Sequence, residues 1–169
     1  EIANGDWSSD VCSSDLPMCY PADFYDKMFI PNWAMWYVIE LEEYLARSND
    51  RELIDAAKDR VYSLLAYFKK LENKDGLLEH LESWVFVEWS KANEFVQDVN
   101  YPNNMMYYAA LLAAAELYKN QDYKTKAEHV KQVILKQSFD GQFFTDHAVR
   151  KNGVLYNDGS KTEVCQYYA

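Results

Sequence analysis

The sequence is poor in the residues that mark several common protein classes. It contains 5 Gly, 4 Pro and 3 Cys among 169 residues, which excludes collagen-like and low-complexity chains and leaves too few thiols for a disulfide framework. No zinc-ligand spacing is present, and no apolar run approaches the roughly 20 residues that cross a bilayer. Basic residues are also few, 17 against 27 acidic ones, for a formal net charge of −10. This balance argues against binding to nucleic acid or to an anionic membrane, because both require a basic surface.

What the sequence does contain is a large apolar and aromatic fraction. Hydrophobic residues make up 49% of the chain and aromatic residues 16%, including 14 Tyr and 5 Trp. This composition is the opposite of that of a disordered chain, and it is sufficient for one domain with a hydrophobic core.

The N-terminal segment does not fit this pattern. Residues 5–16 have no hydrophobic period, and Asp6–Leu16 resembles a common short-read sequencing adapter translated in one frame. A Ser/Asp-rich linker is the alternative. We therefore expect residues 1–16 to be non-native and exclude them from the fold prediction. Residues 17–169 are then expected to be an internal fragment of one domain of a longer protein.

Two helix pairs are predicted, and each combines a helix that is apolar on all sides with an amphipathic one. The first pair begins at Pro31 and continues over about 51–72, and the second begins at Pro102 and continues over about 122–137. A helix that is apolar all round needs neighbours on every side, whereas an amphipathic helix needs only one side covered. A toroid of inner helices enclosed by outer helices supplies both environments.

The two pairs also repeat in sequence. Pro31-Asn32 aligns with Pro102-Asn103 at an offset of 71 residues, and the other matching positions share this offset. The period suits a helical hairpin followed by a long connection, and it is too long for the common short helical repeats. After the second pair, Asn152-Gly153 predicts a small β-hairpin, and the Ser160–Glu163 capping-box pattern predicts the start of another helix.

The connection over residues 79–104 is the most informative segment for function. Loops of this length are uncommon in compact domains unless they have a functional role. Its aromatic rings suit the apolar faces of a sugar, and its carboxylates and amides suit the hydroxyl groups. Ordinary core packing of Trp84 and a structural hydrogen-bonding role for Glu88 are the alternatives. The candidate binding residues here are Trp84, Glu88, Trp89, Asn93, Asp98, Asn100, Tyr101 and Asn103.

Other chemically active residues give weaker signals. His80, His129 and His147 share no metal-ligand spacing, and we expect each to be structural or solvated. Cys19 and Cys165 are expected to be buried thiols. No Ser-His-Asp pattern and no glycine-rich phosphate loop stands out. The sequence therefore predicts neither a cofactor nor a metal.

Five blocks of the chain, in the same order, resemble the catalytic domain of glycoside hydrolase family 78, the bacterial α-L-rhamnosidase-like proteins. The resemblance covers essentially all of 17–169, and the blocks are Pro17–Asp23, Phe29–Trp33, Trp84–Ser90, Asp98–Asn103 and Thr162–Tyr168. It implies an all-α fold, a partial (α/α)6 toroid with one small β-hairpin. It also implies a parent enzyme that hydrolyses terminal α-L-rhamnosides or related glycosides with inversion.

The resemblance assigns roles to particular positions. Glu88-Trp89 matches an acid-Trp element of the sugar subsite, Trp84, Asn93 and Asn100 lie around it, and Gln166 matches a Gln that begins a later inner helix. The family's general acid and general base fall outside this chain, so we expect no catalytic residue within it. The expected partners are a carbohydrate substrate and the missing parts of the same domain.

Two other functions are also compatible with the sequence. A helical-repeat scaffold that binds protein would display its aromatic residues along a concave groove, whereas a toroid would gather Trp84, Trp89 and Tyr101 at one helix mouth. Another toroid enzyme, such as a polysaccharide lyase, would place Arg or Tyr/His groups against a uronate. The acidic, Arg-poor connection suits a neutral sugar better.

Overall fold

Five α-helices and a small antiparallel sheet form the structure, a computed structural model that describes residues 29–169. The adapter-like segment, Cys19 and the Pro17–Asp23 block lie outside the described residues. The helices are α1 (Pro31–Ser48), α2 (Arg51–Lys70), α3 (Tyr101–Tyr118), α4 (Gln121–Ser138) and α5 (Glu163–Tyr168), with a 3-10 turn at Lys91–Phe95. The strands are β1 (Val99–Asn100), β2 (His147–Lys151) and β3 (Val154–Asn157). Within the described part of the chain, no helix has both the length and the apolarity that a membrane crossing requires.

Side-chain caps fix where the helices begin. Asp50 accepts a hydrogen bond from Leu53 N at the start of α2, and Asn120 caps α4 in the same way. These short polar side chains satisfy N–H groups that have no partner within the helix. At the other end, Asn49 terminates α1 in the left-handed conformation with φ 56°, a position that Asn tolerates well. The helix boundaries predicted from sequence are confirmed to within two residues.

The predicted alternation of inner and outer helices is confirmed for the second pair and for α2. Helix α3 is buried around nearly its whole circumference, while α2 and α4 each bury a single stripe. Arg51, at the start of α2, donates a hydrogen bond to Leu117 O near the end of α3 at 2.5 Å. Because α1 ends beside the same point, α1 and α3 run parallel, and their N-terminal ends lie together at the opposite end of the molecule.

Helix α1 departs from the prediction of burial on every side. Met35 and Val38 are fully buried, but Trp33 and Trp36 are 42% and 41% exposed, and Tyr44 is exposed as well. Within residues 29–169, α1 packs mainly against α3, with lesser contacts to α2. The face of α1 that carries Trp36 and Tyr44 is therefore largely exposed among the described residues, although its apolar composition suits burial.

The small sheet is larger than the predicted hairpin. Strands β2 and β3 pair in antiparallel fashion around Asn152-Gly153, as expected, but β1 adds a third strand against β2. The final helix begins at Glu163, with Thr162 as its cap rather than Ser160. The Thr162 hydroxyl accepts a hydrogen bond from Cys165 N, and Ser160 instead donates its hydroxyl to Asp158.

Candidate functional site

The candidate site lies at the N-terminal ends of α1 and α3, where the connection over residues 79–100 crosses them. Trp84 N donates to Phe29 O at 3.2 Å, and Phe29 N donates to Ser83 Oγ at 2.9 Å. These two hydrogen bonds hold the connection against the start of α1. The last residues of the connection form β1 and lead directly into α3.

Four aromatic side chains gather at this end and form what we call the aromatic cluster: Trp33, Trp84, Phe86 and Trp89. Phe86 is at its centre, with ring centroids 5.4 Å from Trp84, 5.1 Å from Trp89 and 6.5 Å from Trp33. Trp84 and Trp89 also contact each other directly, at 6.3 Å. Phe86 is buried, whereas Trp89 is 82% exposed. Phe86 and Trp84 therefore hold the mostly exposed indole of Trp89 in place.

Glu88 and its neighbours are fixed by side-chain hydrogen bonds rather than by regular secondary structure. Asn93 accepts a hydrogen bond from Val87 N at 2.9 Å and donates one to Glu88 O. The Oε1 atom of the Glu88 carboxylate accepts a hydrogen bond from the backbone N–H of Trp89 at 2.8 Å. Glu88 is exposed, so its other oxygen is accessible to a ligand. The predicted association of Trp84, Glu88, Trp89 and Asn93 is thus seen in the structure.

The same connection contains unusual backbone conformations. His80, Ser83 and Asp98 have φ values of 55°, 66° and 48°, in the left-handed region that non-glycine residues seldom occupy. Each such residue costs about 1–2 kcal/mol unless its surroundings hold it in place. His80 is held by a hydrogen bond from its N–H to Asp98 O at 3.0 Å. Backbone strain of this kind is typical of functional segments.

Asp98, one of the predicted binding residues, belongs to an ion-pair network that shares no residue with the aromatic cluster. Its Oδ2 accepts Arg150 N at 2.6 Å, and its Oδ1 lies 3.1 Å from His80 Nδ1. Arg150 binds the buried carboxylate of Glu79 through two nitrogen atoms, at 2.5 and 2.7 Å. This hydrogen bonding lowers the pKa of Glu79 despite the opposing effect of burial. Asp98 and Arg150 therefore fasten the connection to the sheet.

Three more predicted residues use most of their polar groups for hydrogen bonds within the fold. Asn100 caps α3 by accepting Asn103 N at 2.9 Å, and its amide donates to Phe95 O. Asn103 is buried and donates to the Asn100 side chain. Gln166 forms two hydrogen bonds with the backbone of Phe144, accepting its N–H and donating to its carbonyl. These residues shape the site, and none of them presents a free amide group at the aromatic cluster.

Tyr101 lies apart from the aromatic cluster. It is buried, and its hydroxyl donates weakly to Gln137 at 3.3 Å on the α4 side. Burial, with a smaller contribution from the Asp75 charge, raises its pKa. The expected gathering of Trp84, Trp89 and Tyr101 is therefore seen only for the two Trp residues, since the Tyr101 ring faces a cavity of about 340 Å³ beside Arg150 and Gln137.

The two inner helices share an unusual polar feature at their first turns. Among the described residues, Asn32 Oδ1 and Asn103 Oδ1 are the buried side-chain oxygen atoms without a hydrogen-bond donor. The two residues are 71 positions apart and match in the internal repeat. Buried acceptors of this type are normally satisfied by ordered water or by a ligand group.

A nucleophilic triad is not formed by the Ser, His and Asp side chains that meet near β2. Ser160 Oγ lies 3.4 Å from His147 Nδ1, and Asp158 lies 3.6 Å from the same nitrogen atom. A triad requires the two partners on opposite nitrogen atoms of the imidazole. Cys165 is buried as predicted, and burial raises the pKa of its thiol to about 12, which disfavours the nucleophilic thiolate form.

Comparison with known proteins gives a likeness of fold. No protein-family model matches the sequence, and no curated protein matches it. Among solved structures, the chain is similar to the crystal structure of the GH78 family rhamnosidase of Bacillus sp. GL1, with a TM-score of 0.60 and 16% sequence identity. The chain has the fold of part of an (α/α)6 toroid. The likeness covers 81% of this chain and 14% of that chain, so this chain spans about a seventh of the rhamnosidase's length.

Sequence reasoning misses three residues that shape the site. Trp33 is predicted on a buried helix face, but it lies in the aromatic cluster. Tyr168 donates a hydrogen bond to the backbone beside Glu88, and Asn32 is buried in the first turn of α1 with Oδ1 unpaired. The repeated Pro-Asn pair is a usable signal for Asn32, but no local pattern indicates Tyr168, because its partner is 81 positions away.

Proposed function

We propose that this chain is part of the catalytic domain of a glycoside hydrolase, and that its full-length parent hydrolyses terminal α-L-rhamnosides or related glycosides with inversion. The fold likeness to a rhamnosidase supports a toroid glycosidase. The aromatic cluster with the adjacent carboxylate of Glu88 supports a sugar site at the N-terminal ends of the inner helices. The five sequence blocks that resemble family 78 support the choice of sugar.

The observation that carries the proposal is the exposed indole of Trp89. It is 82% exposed, yet its ring packs edge-on against Phe86 and Trp84. Burial of a large aromatic ring stabilises a folded monomer through the hydrophobic effect. The exposed Trp89 ring forgoes most of this stabilisation. A flat ring held in this way suits the apolar face of a pyranose. The exposed oxygen of Glu88 would accept a hydrogen bond from a sugar hydroxyl.

Hydrolysis in the parent would require two further carboxyl groups. An inverting enzyme protonates the leaving oxygen with one carboxylic acid and activates water with a carboxylate roughly 6.5–9.5 Å away. In this proposal both groups lie outside residues 1–169, and Glu88 binds or orients the sugar. Asn93, Asn100, Asn103 and Gln166 act indirectly, by fixing the backbone around the site.

A titration of the full chain with L-rhamnose tests the proposal. We expect the sugar to change the tryptophan fluorescence saturably, and Trp89→Ala to weaken binding at least about fivefold, since stacking on one ring contributes on the order of 1 kcal/mol or more. Trp36→Ala is the matched control, because Trp36 is also exposed but lies outside the aromatic cluster. The chain alone should release no product from an aryl α-L-rhamnoside.

Three results would contradict the proposal. Undiminished binding by Trp89→Ala would remove the aromatic cluster from the site. An equal loss in Trp36→Ala would point to α1 instead. Product release that survives repurification would show that a catalytic pair lies within the chain.

A second candidate function is a helical scaffold that binds protein, and the exposed face of α1 favours it. Trp33, Trp36, Tyr37 and Glu40 line a shallow groove of about 460 Å³ along this helix. This alternative predicts that Trp36→Ala abolishes binding of a partner helix while L-rhamnose has no effect on the chain.

A further inference from the structure

A single phenol hydroxyl joins α5 to the connection beside Glu88. Tyr168, at the end of α5, donates a hydrogen bond to Val87 O at 2.9 Å. Val87 immediately precedes Glu88, so α5 and the connection meet directly beside Glu88.

This hydroxyl completes the set of hydrogen bonds that fixes the backbone at Glu88. Asn93 holds Val87 N and Glu88 O from one side, and Tyr168 holds Val87 O from the other. Residues 85–88 have no regular secondary structure, so no helix or sheet ladder restrains them. Their conformation, and with it the direction of the Trp89 ring, therefore depends on these side-chain bonds.

The electrostatics agree with this placement. Burial raises the pKa of Tyr168, and the nearby negative charge of Glu88 raises it further. The phenol therefore remains protonated, and a donor, at neutral pH. It is close enough to the Glu88 carboxylate for the two groups to interact.

We propose that Tyr168 is a positioning residue for the sugar site: through Val87 O it sets the orientation of the Glu88–Trp89 pair. This inference rests on the proposed sugar-binding function, but its geometric part can be tested without sugar. It also means that α5, which contributes no residue to the aromatic cluster, controls the shape of that cluster.

Tyr168→Phe in the full chain is the test, since it removes only the hydroxyl. The Trp84 and Trp89 rings, 6.3 Å apart, should give an exciton couplet in circular dichroism, and the variant should weaken it. The dissociation constant for L-rhamnose should rise about five- to tenfold, the effect of one misplaced hydrogen-bonding group. Tyr167→Phe is the matched control, because Tyr167 is the adjacent residue and is 85% exposed. It should change neither quantity.

A rescue experiment separates positioning from general stability. Replacement of Tyr168 by 4-aminophenylalanine keeps an N–H donor at the same place, and it should restore both the couplet and the affinity. A variant that lowers the melting temperature but leaves the couplet and the affinity unchanged would overturn the inference, because the hydroxyl would then be merely structural. If Tyr168→Phe does not fold, the couplet of the 4-aminophenylalanine protein is the deciding measurement. A couplet that differs from that of the wild-type chain would contradict the role of residue 168 as a hydrogen-bond donor.

Failure of the proposed function gives a different result. If the wild-type chain binds no L-rhamnose, the sugar proposal fails, while the couplet still reports whether Tyr168 orients Trp89. If the chain binds L-rhamnose and Tyr168→Phe binds it equally well with an unchanged couplet, only the positioning role fails.

Discussion

Asn104 and Leu78 form a closed pair at the start of the inner helix α3. The Asn104 carboxamide accepts the backbone N–H of Leu78 at 2.7 Å and donates to its carbonyl at 3.0 Å. It also donates to Asn100 O at 2.8 Å. Both Asn104 and Leu78 are fully buried. The Asn104 side chain pairs with the backbone of Leu78 as a neighbouring strand would, and it thereby holds the connection against α3.

Asn104→Ala should lower the free energy of unfolding by about 2–4 kcal/mol, because it leaves two buried backbone groups of Leu78 unpaired. Asn103→Ala is the control. It loses one side-chain hydrogen bond to Asn100 and should cost about 1 kcal/mol or less. Urea unfolding followed by circular dichroism measures both. Equal losses in the two variants would show that the Asn104–Leu78 pair has no special role.

The Glu79–Arg150 pair predicts a specific pH dependence. Hydrogen bonding to Arg150 lowers the folded-state pKa of Glu79 below its ordinary value of 4.5. The resulting stability is therefore fully present above about pH 4.5 and is lost as the pH falls through the folded-state pKa. Glu79→Gln should lower the free energy of unfolding at pH 7 by about 1–3 kcal/mol and flatten its decline below pH 4.5.

Glu43→Gln is the matched control for this measurement. Glu43 forms an exposed pair with Arg47 at 2.9 Å, and exposed pairs contribute little to stability. Its pH profile should follow that of the wild-type chain. A Glu79→Gln profile that also follows the wild type would contradict the assignment.

Gly76 is required by both backbone conformation and space. Its φ is +82°, and a Cβ atom would lie 2.8 Å from Lys126 Nζ and 3.0 Å from the His129 ring. Gly159 has a similar φ of +79°, but a Cβ atom there would meet nothing within 4 Å. Gly159→Ala should therefore lower the free energy of unfolding by about 1–2 kcal/mol through backbone strain alone. Gly76→Ala should lower it by about 1 kcal/mol more, because the new methyl group is also crowded by the neighbouring side chains. Thermal unfolding measures the difference, and an equal effect would show that the side chains move away freely.

The exposed aromatic face of α1 predicts self-association of the isolated chain. Trp36 and Tyr44 lie exposed on one helix, and contiguous apolar surface of this type promotes association. Trp36→Lys should lower the weight-average mass in light scattering toward the 19.8 kDa of one chain. Tyr167→Lys removes an exposed aromatic residue elsewhere and should have no such effect. A wild-type chain that is already monomeric at high concentration would contradict this prediction.

The helices could be predicted well from the sequence because their signals are local. Pro31 and Asn120 mark helix starts by their own backbone chemistry, and the apolar circumference of α3 indicates its central position. Helix α1 is also apolar on all sides, and from this pattern Trp36 is wrongly expected to be buried. Hydrophobic periodicity shows which faces of a helix can be buried, but it does not show which neighbours the described residues provide.

The site is harder to predict, since it depends on contacts between distant residues. Glu88 and Trp89 are adjacent, and their association with Trp84 follows from the segment's composition. The separation of Tyr101 from them depends on how α3 packs against α4, and the bond from Tyr168 to Val87 spans 81 positions. Strand β1 is also missed, because two residues cannot show a strand period.

A crystal structure of the full chain soaked with L-rhamnose tests the central claim most directly. We predict one sugar stacked on the exposed ring of Trp89, with a hydroxyl within hydrogen-bonding distance of the free Glu88 oxygen. Density for the sugar in the cavity beside Tyr101 and Arg150, or an unoccupied aromatic cluster at saturating sugar, would contradict it.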